Sequence, residues 1–376
     1  MVSKNSGFVL GIGLLLLLAV GMAPWTPQAP VAAVDVRISK QQFASYLDDW
    51  SETEGFFDSD NFISNETSYL HVVEDLRRQA EPGGIYIGVG PDQNLSYIAH
   101  TRPALAIIID IRRQNMLEHL LFKALLARAT SRAEYLALLF ARETPAIASS
   151  ASVTELLDAI RGAPSLEGAF EKNFEWVKQT LVADYGLNLT ADDLGKIEYT
   201  YRAFATEKLD LRFSTIGRLP SVRYPKYEDL LLEKDRGGNY QSFVSTEELF
   251  LWIKQFEDAN RLIPIVGDFA GKDAFRRVAA FLKGNGLRVS TFYTSNVEFY
   301  LFGRPEWDIY TGNVRSLPVS GNAVFIRSYF PSFGRIHPLN MEGHRSTSLV
   351  QPLGTFLDDD SAGRLSSYWD VVRGTQ

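Results

Sequence analysis

Asp110 and Asp268 each end or follow an apolar run, AIIID and PIVGD. A carboxylate at the tip of a buried strand can accept hydrogen bonds from ribose hydroxyls or from an adenine amino group. Gly88 and Gly90 close a third run, IYIGVG, where glycine lets the backbone come close to a ligand. Asp92 lies in the polar turn that follows. A fourth run, STFYTSN, ends on Asn296, with Glu298 two residues on. An asparagine can orient a substrate, and a poorly solvated glutamate can serve as a base. Glu66, with Asn65 and Tyr69, can close such a site from the N-terminal side. The catalytic candidates are therefore Asn296 and Glu298. The cofactor-binding candidates are Gly88, Gly90, Asp92, Asp110, Asp268 and Glu66.

Each candidate also has a plain structural reading. The glycines can form a tight turn with no ligand. Asp110 can be a solvated strand-end carboxylate helped by Arg112 and Arg113, and Asp268 can cap the next helix. Ser295 or Asn296 can cap a helix while Glu298 favours its positive end.

The elements that must hold these residues alternate. Ser64 or Asn65 is expected to cap a helix carrying Leu70, Val73 and Leu76, stopped by Pro82, Gly83 and Gly84. Strands are expected near 85–90 and 105–110, with a helix near 92–101 between them and a long helical stretch over 114–142. Residues 143–245 read as a helical insertion. Ser152 and Glu155 form a capping box, and Phe170, Phe174, Val177, Leu181 and then Leu194, Ile197, Tyr201, Phe204 form amphipathic stripes. The insertion is either a lid over the site or a packed elaboration. It ends in a loop-like stretch, residues 218–240. Ser245 and Glu248 then open a helix, LIPIVGD gives a strand, residues 272–283 a helix, and two further strands follow. Pro264 lacks the N–H of a central strand, so its strand starts after it or lies near an edge. The fold class is α/β and Rossmann-like, a mostly parallel sheet with helices on both faces and a helical insertion. Residues 34–142 and 246–376 form its two parts.

The composition narrows the chemistry. With 376 residues, 45% hydrophobic and 22% charged, the chain is an ordinary globular one. A net charge of −7 argues against a nucleic-acid surface. The absence of cysteine excludes disulfides, thiolate metal sites and a cysteine nucleophile. The five histidines show no tight metal spacing; His337 and His344, in a Gly- and Pro-containing loop, read as surface residues, and no metal is expected. No Gly-x-Ser-x-Gly elbow supports a serine hydrolase, and the first turn lacks the Gly-Lys-Ser/Thr end of a phosphate loop. A turn with few glycines suits adenosylmethionine better than a dinucleotide with its pyrophosphate. Residues 1–33 read as a signal peptide or membrane anchor: Lys4, an apolar run over 8–23, and Val31, Ala32, Ala33 as a cleavage site. That places the main body outside the cytoplasm, periplasmic or tethered to the membrane by its N-terminus. Asn65, Asn94 and Asn188 head glycosylation sequons, which matter only in a eukaryotic secretory pathway.

The stretches FDSDNFISNETSYL, GGIYIGVGPDQNLSYI, AIIIDIRRQN, PIVGDFAGKDAF and FYTSNVEFYL, spread over 57–301, resemble a family of uncharacterised bacterial proteins with a methyltransferase-like Rossmann domain. The resemblance implies that fold and an adenosylmethionine-type pocket, with Gly88, Gly90, Asp110 and Asp268 at the cofactor-contacting places. The turn differs from the usual acid-x-Gly-x-Gly-x-Gly form: Ile85 or Ile87 stands at the acidic place, and Pro91-Asp92 replaces the last glycine. Two functions stand side by side: an adenosylmethionine-dependent methyltransferase or relative, and a non-catalytic periplasmic or membrane-surface binding protein that has lost cofactor use. A third, weaker reading has an enzyme using a sugar or nucleotide derivative in the same crevice.

Overall fold

A computed structural model describes Met1, residues 37–214 and residues 224–373. The expected leader, residues 1–33, lies outside the described residues apart from Met1. The chain divides into two units, 1–32 and 33–376, and everything below concerns the second.

Three short apolar runs build one half of the sheet: β1 (Ile85–Gly88), β2 (Leu105–Asp110) and β3 (Leu262–Val266). Every residue of all three is buried. Successive side chains of a strand point to opposite faces, so both faces are covered, and a continuous apolar run rather than an alternating one is what such a strand requires. β4 (Val289–Ser295), β5 (Val319–Tyr329) and β6 (Thr347–Pro352) complete the described sheet, in the order β3-β2-β1-β4-β5-β6. The pairings are parallel except β5 with β6. The chain winds outward from β1 to β3, then restarts at β4 on the other side of β1. The carboxyl ends of β1 and β4 therefore flank a topological switch point, where connecting segments diverge and leave a crevice.

β3 is an edge strand, which explains Pro264. Gly267 N–H donates to Asp110 O on β2, whereas Val266 N–H donates to Ser51 Oγ on the outer side. By alternation the nitrogen of Pro264 also faces outward, so no bond to β2 is lost.

The helices before the sheet are α1 (Lys40–Trp50) and α2 (Val73–Gln79), the latter preceded by a 3₁₀ turn, Tyr69–Val72. The sequence reading expects no helix before Ser64; instead Phe43, Leu47 and Trp50 bury one face of α1, and Ser39 caps it with a capping box. The cap expected at Ser64 or Asn65 does not form. Ser64 Oγ accepts from Glu66 N–H, and the helical turn starts only at Tyr69. α3 (Gln93–Thr101) joins β1 to β2.

Between β2 and β3 lie α4 (Arg113–Arg128), α5 (Arg132–Leu139), α6 (Val153–Gly162), α7 (Ala169–Lys178), α8 (Ala191–Glu207), α9 (Tyr227–Leu231) and α10 (Glu247–Asp258). The single long helix expected over 114–142 is two, broken where Ser131 caps α5. α9 lies inside the stretch expected to be a loop, and the cap of α10 is Thr246, one residue later than expected. Leu156, Val177, Tyr201 and Phe204 of these helices join the same apolar core as the sheet. α11 (Ala274–Gly284), α12 (Val297–Leu301), α13 (Glu306–Ser316), α14 (Leu353–Ser361) and α15 (Tyr368–Arg373) finish the fold. Among the described residues no helix is long and apolar enough to cross a membrane.

Candidate functional site

A cavity of about 470 Å³ opens at the carboxyl ends of β1 to β4. Glu66, Gly90, Asp110, Asp268 and Asn296 all line it. They come from five separated segments: four end or follow β1 to β4, and Glu66 comes from the segment before the 3₁₀ turn.

The turn after β1 is organised by a residue the sequence reading did not single out. Asn94 Nδ2 donates toward the carbonyls of Val89, Gly90 and Pro91 at 2.9, 3.1 and 2.7 Å, and its Oδ1 accepts from Tyr86 OH at 2.8 Å. Losing such buried partners costs about 1 to 3 kcal/mol per group. Asn94 is fully buried, so its sequon is closed to a glycan in the folded chain. Gly90 takes φ +81° and faces the cavity. Gly88 does not line it: a Cβ there would strike Asn94 Oδ1 and the Tyr86 ring, so this glycine serves packing inside the turn. Behind the turn, His119 Nε2–H donates to Gly90 O at 2.9 Å. Burial pulls that imidazole down to about 4, leaving it neutral.

Asp92 is also misplaced by the sequence reading. It sits at the start of α3, turned into the protein, and accepts from Tyr227 OH at 2.6 Å. Burial pushes its carboxyl up to about 6. The next residue, Gln93, rotated by one helical step, is the one on the cavity wall.

Asp110 ends β2 at the cavity, but Arg112 holds it. Oδ1 accepts from Arg112 N–H at 2.9 Å and Nε at 3.1 Å, and Oδ2 accepts from Nη2 at 3.0 Å. Arg112 also donates to the carbonyls of Ser59 and Asp60, and Asp110 is 4% exposed. This is a buried pair, not the solvated carboxylate of the structural reading, and Arg113 turns away to Asp193. A carboxylate has about four acceptor positions. One remains on Asp110 Oδ2, enough for one ligand hydroxyl. Asp268 does not cap α11. Its Oδ1 accepts from Ala270 N–H, and the start of α11 is capped by Glu52, whose carboxylate accepts from the N–H groups of Asp273 and Ala274.

On the floor lies a relay. Gln93 Nε2 donates to Tyr293 OH at 2.7 Å, Tyr293 OH donates to Glu66 Oε1 at 2.8 Å, and Ser295 Oγ donates to the same oxygen. Tyr293 and Ser295 meet Glu66 together because residues i and i+2 of a strand share a face. Glu66 Oε2 and Gln93 Oε1 have no hydrogen-bond partner among the described residues, although both are buried. Burial raises the Glu66 carboxyl, against the hydroxyls of Ser295 and Tyr293 bonded to it and that of nearby Ser328, which lies outside hydrogen-bonding geometry. Ser295 is held at φ 53°, a left-handed conformation that costs a non-glycine residue roughly 1 to 2 kcal/mol.

Asn296 lines the cavity and makes no side-chain cap to α12. Its Oδ1 lies 3.3 Å from Ser295 Oγ, whose one hydrogen goes to Glu66. Glu298, expected as a base, is not there. It is fully buried and paired through both oxygens with Arg327, and Tyr310 OH donates to it at 2.7 Å. Removing one partner of such a pair costs about 3 to 5 kcal/mol, which makes Glu298 a core residue. Tyr69 is likewise absent from the cavity; its hydroxyl donates to Leu230 O. From the region read as an insertion, Phe213 and Tyr224 reach the cavity wall, edge to face at 4.9 Å.

A family described as Domain of unknown function (DUF7790) matches residues 61–360. The chain belongs to that family. The DUF7790 span holds all six described strands and each of Glu66, Gly90, Asp110, Asp268 and Asn296; α1 and the rim residues Phe56 and Phe57 precede it. No curated protein matches the chain.

Proposed function

We propose that the cavity binds a small ligand carrying hydroxyl groups, of the adenosylmethionine type, and that Glu66 handles a proton of whatever is bound beside it. The observation that carries the reading is the convergence of Glu66, Gly90, Asp110, Asp268 and Asn296 on one cavity at the switch point. Its volume of about 470 Å³ falls in the range of small-ligand sites.

The donor set suits such a group in outline. The free acceptor position of Asp110 takes a ribose hydroxyl, Asp268 offers a carboxylate to an amino group, and Gly90 leaves the backbone open to close approach. When bound, adenosylmethionine supplies a methyl carbon activated by the sulfonium. Glu66 has one oxygen without a hydrogen-bond partner, and burial raises its carboxyl, so a proton arriving there is held more firmly than on an ordinary glutamate. Tyr293 and Ser295 fix its other oxygen, and Asn296 orients the partner. The same segment arrangement is compatible with an exported protein whose N-terminus directs or tethers it.

A second reading, a binding protein without catalysis, is favoured by one observation: Arg112 occupies three of the acceptor positions that a ribose-binding Asp110 would offer. Calorimetry on the full chain tests the first reading. Adenosylmethionine or adenosylhomocysteine should bind at one site per chain, and Asp110→Ala should weaken binding roughly tenfold, the equivalent of about 1.4 kcal/mol. No heat and no thermal shift at millimolar ligand would reject the adenosyl reading and leave the second one standing.

A further inference from the structure

Three side chains outside the cavity come together from separate parts of the chain. His71 sits in the 3₁₀ turn before α2, Glu233 just past α9, and His344 in the segment before β6. One possible ligand atom of each lies within 4.8 Å of the other two. His71 is almost wholly buried, Glu233 and His344 half-buried.

His71 Nε2 and Glu233 Oε1 are 3.3 Å apart. That separation is what two atoms share when both sit roughly 2.0 to 2.1 Å from a common ion in tetrahedral geometry. An ordinary His–Glu ion pair would account for this contact alone. It would not account for the second imidazole, which meets the first edge to face with ring centres 4.4 Å apart. The tautomer of His344 adds to the argument. Its Nδ1 lies 2.9 Å from the carbonyl oxygen of Thr67, which can only accept, so Nδ1 carries the hydrogen and Nε2 keeps its lone pair. Metal-binding histidines are held in this way, by a carbonyl on the other ring nitrogen.

We propose that His71, Glu233 and His344 bind a divalent transition ion of the zinc class. Two imidazoles and one carboxylate suit zinc, whereas magnesium and calcium favour all-oxygen sets. Three protein ligands leave a fourth position for water. The ion would join the turn before α2, the end of α9 and the segment before β6. The first and last of those stretches are already tied at Ser68, whose hydroxyl meets those of Ser346 and Ser348 at 2.8 and 3.2 Å. Thr67 follows Glu66 directly, so the ion would also stiffen the segment that carries the carboxylate of the cavity floor. The proposal stands apart from the adenosyl reading, since none of the three residues lines the cavity.

The test is titration of the full chain, untagged and stripped with a chelator, with zinc chloride alone. One ion per chain should bind and raise the melting temperature. His344→Ala, at a half-buried position, and Glu233→Gln should each weaken binding roughly 100-fold or more, beyond the loss from disturbing an outer-shell partner. Magnesium chloride should give no heat. Absence of zinc binding in the wild-type chain, or unchanged binding in a folded His344→Ala, overturns the proposal. Equal binding of magnesium overturns the assignment to a transition ion.

Discussion

Glu66 is a carboxyl kept where ionising it is unfavourable. Its folded pKa lies above the ordinary value of 4.5. The folded chain therefore keeps the proton over a window where the unfolded chain has lost it. The stability this gives is complete below about 4.5 and is lost as pH rises through the raised value. Glu66→Gln removes that loss: the amide oxygen still accepts from Tyr293 and Ser295, and the amide nitrogen falls beside the Ser328 hydroxyl. The variant should be more stable than wild type at pH 7 and no more stable at pH 4, read from urea midpoints. A variant less stable at pH 7 would show that the ionised carboxylate is not strained. The residue pattern made the region visible but not this residue's role. Strand-tip polarity pointed to Asn296, which is at the cavity, and equally to Glu298, which one short helical turn carries into the core to meet Arg327. Tyr293 was not singled out, because nothing local marks which face of a buried strand has a carboxylate opposite.

At the scale of elements, the site depends on parts that never touch the cavity. Glu52, just past α1, accepts from Asp273 and Ala274 at the start of α11 and from Asp268 N–H at 3.2 Å. Gly271 is small for the same reason, since a Cβ there would strike Glu52, whereas a Cβ on Gly267 would strike Ile109 and Ala274. Glu52→Ala should cost about 0.5 to 2 kcal/mol, the usual loss of a helix cap, and should also weaken any ligand that uses Asp268. Chemical denaturation and the calorimetry above measure the two effects; a loss of stability with unchanged affinity would separate Asp268 from binding. Capping boxes within one helix, such as Ser152 with Glu155, were legible because both partners lie in one short window. Glu52 was not, because its partners lie more than two hundred residues away. α1 escaped notice for a similar reason. Its apolar face is only Phe43, Leu47 and Trp50, set among polar residues, and it acquires meaning from the core it meets.

Across the whole molecule, buried ionisable groups pull stability in opposite directions. Asp92 rises from 3.8 to about 6, so its contribution is present below 3.8 and lost as pH climbs through 6, about 3 kcal/mol in all. His100 and His119 fall from 6.5 to about 4, so theirs is present above 6.5 and lost as pH drops through 4. The two sets overlap and partly cancel. Asp92→Asn unmasks the histidines: the difference between its midpoint and that of wild type should grow as pH rises from about 4 to 6. A difference constant with pH would mean that Asp92 titrates normally. The mostly parallel, covered sheet was legible at this scale, because uninterrupted apolar runs separated by helical spacing leave little choice but such a sheet. The antiparallel β6 was not, since its run, TSLVQP, is short and half polar. Nor was the burial of His337, which was read as a surface residue but packs against Tyr329 and Trp369.

The backbone twist at Ser295 sets two kinds of selection against each other. Glycine would relax that position, so any search for heat-tolerant descendants of this protein should keep arriving at Ser295→Gly. Each such winner would have surrendered the hydroxyl that steadies Glu66, trading usefulness for endurance at a single codon.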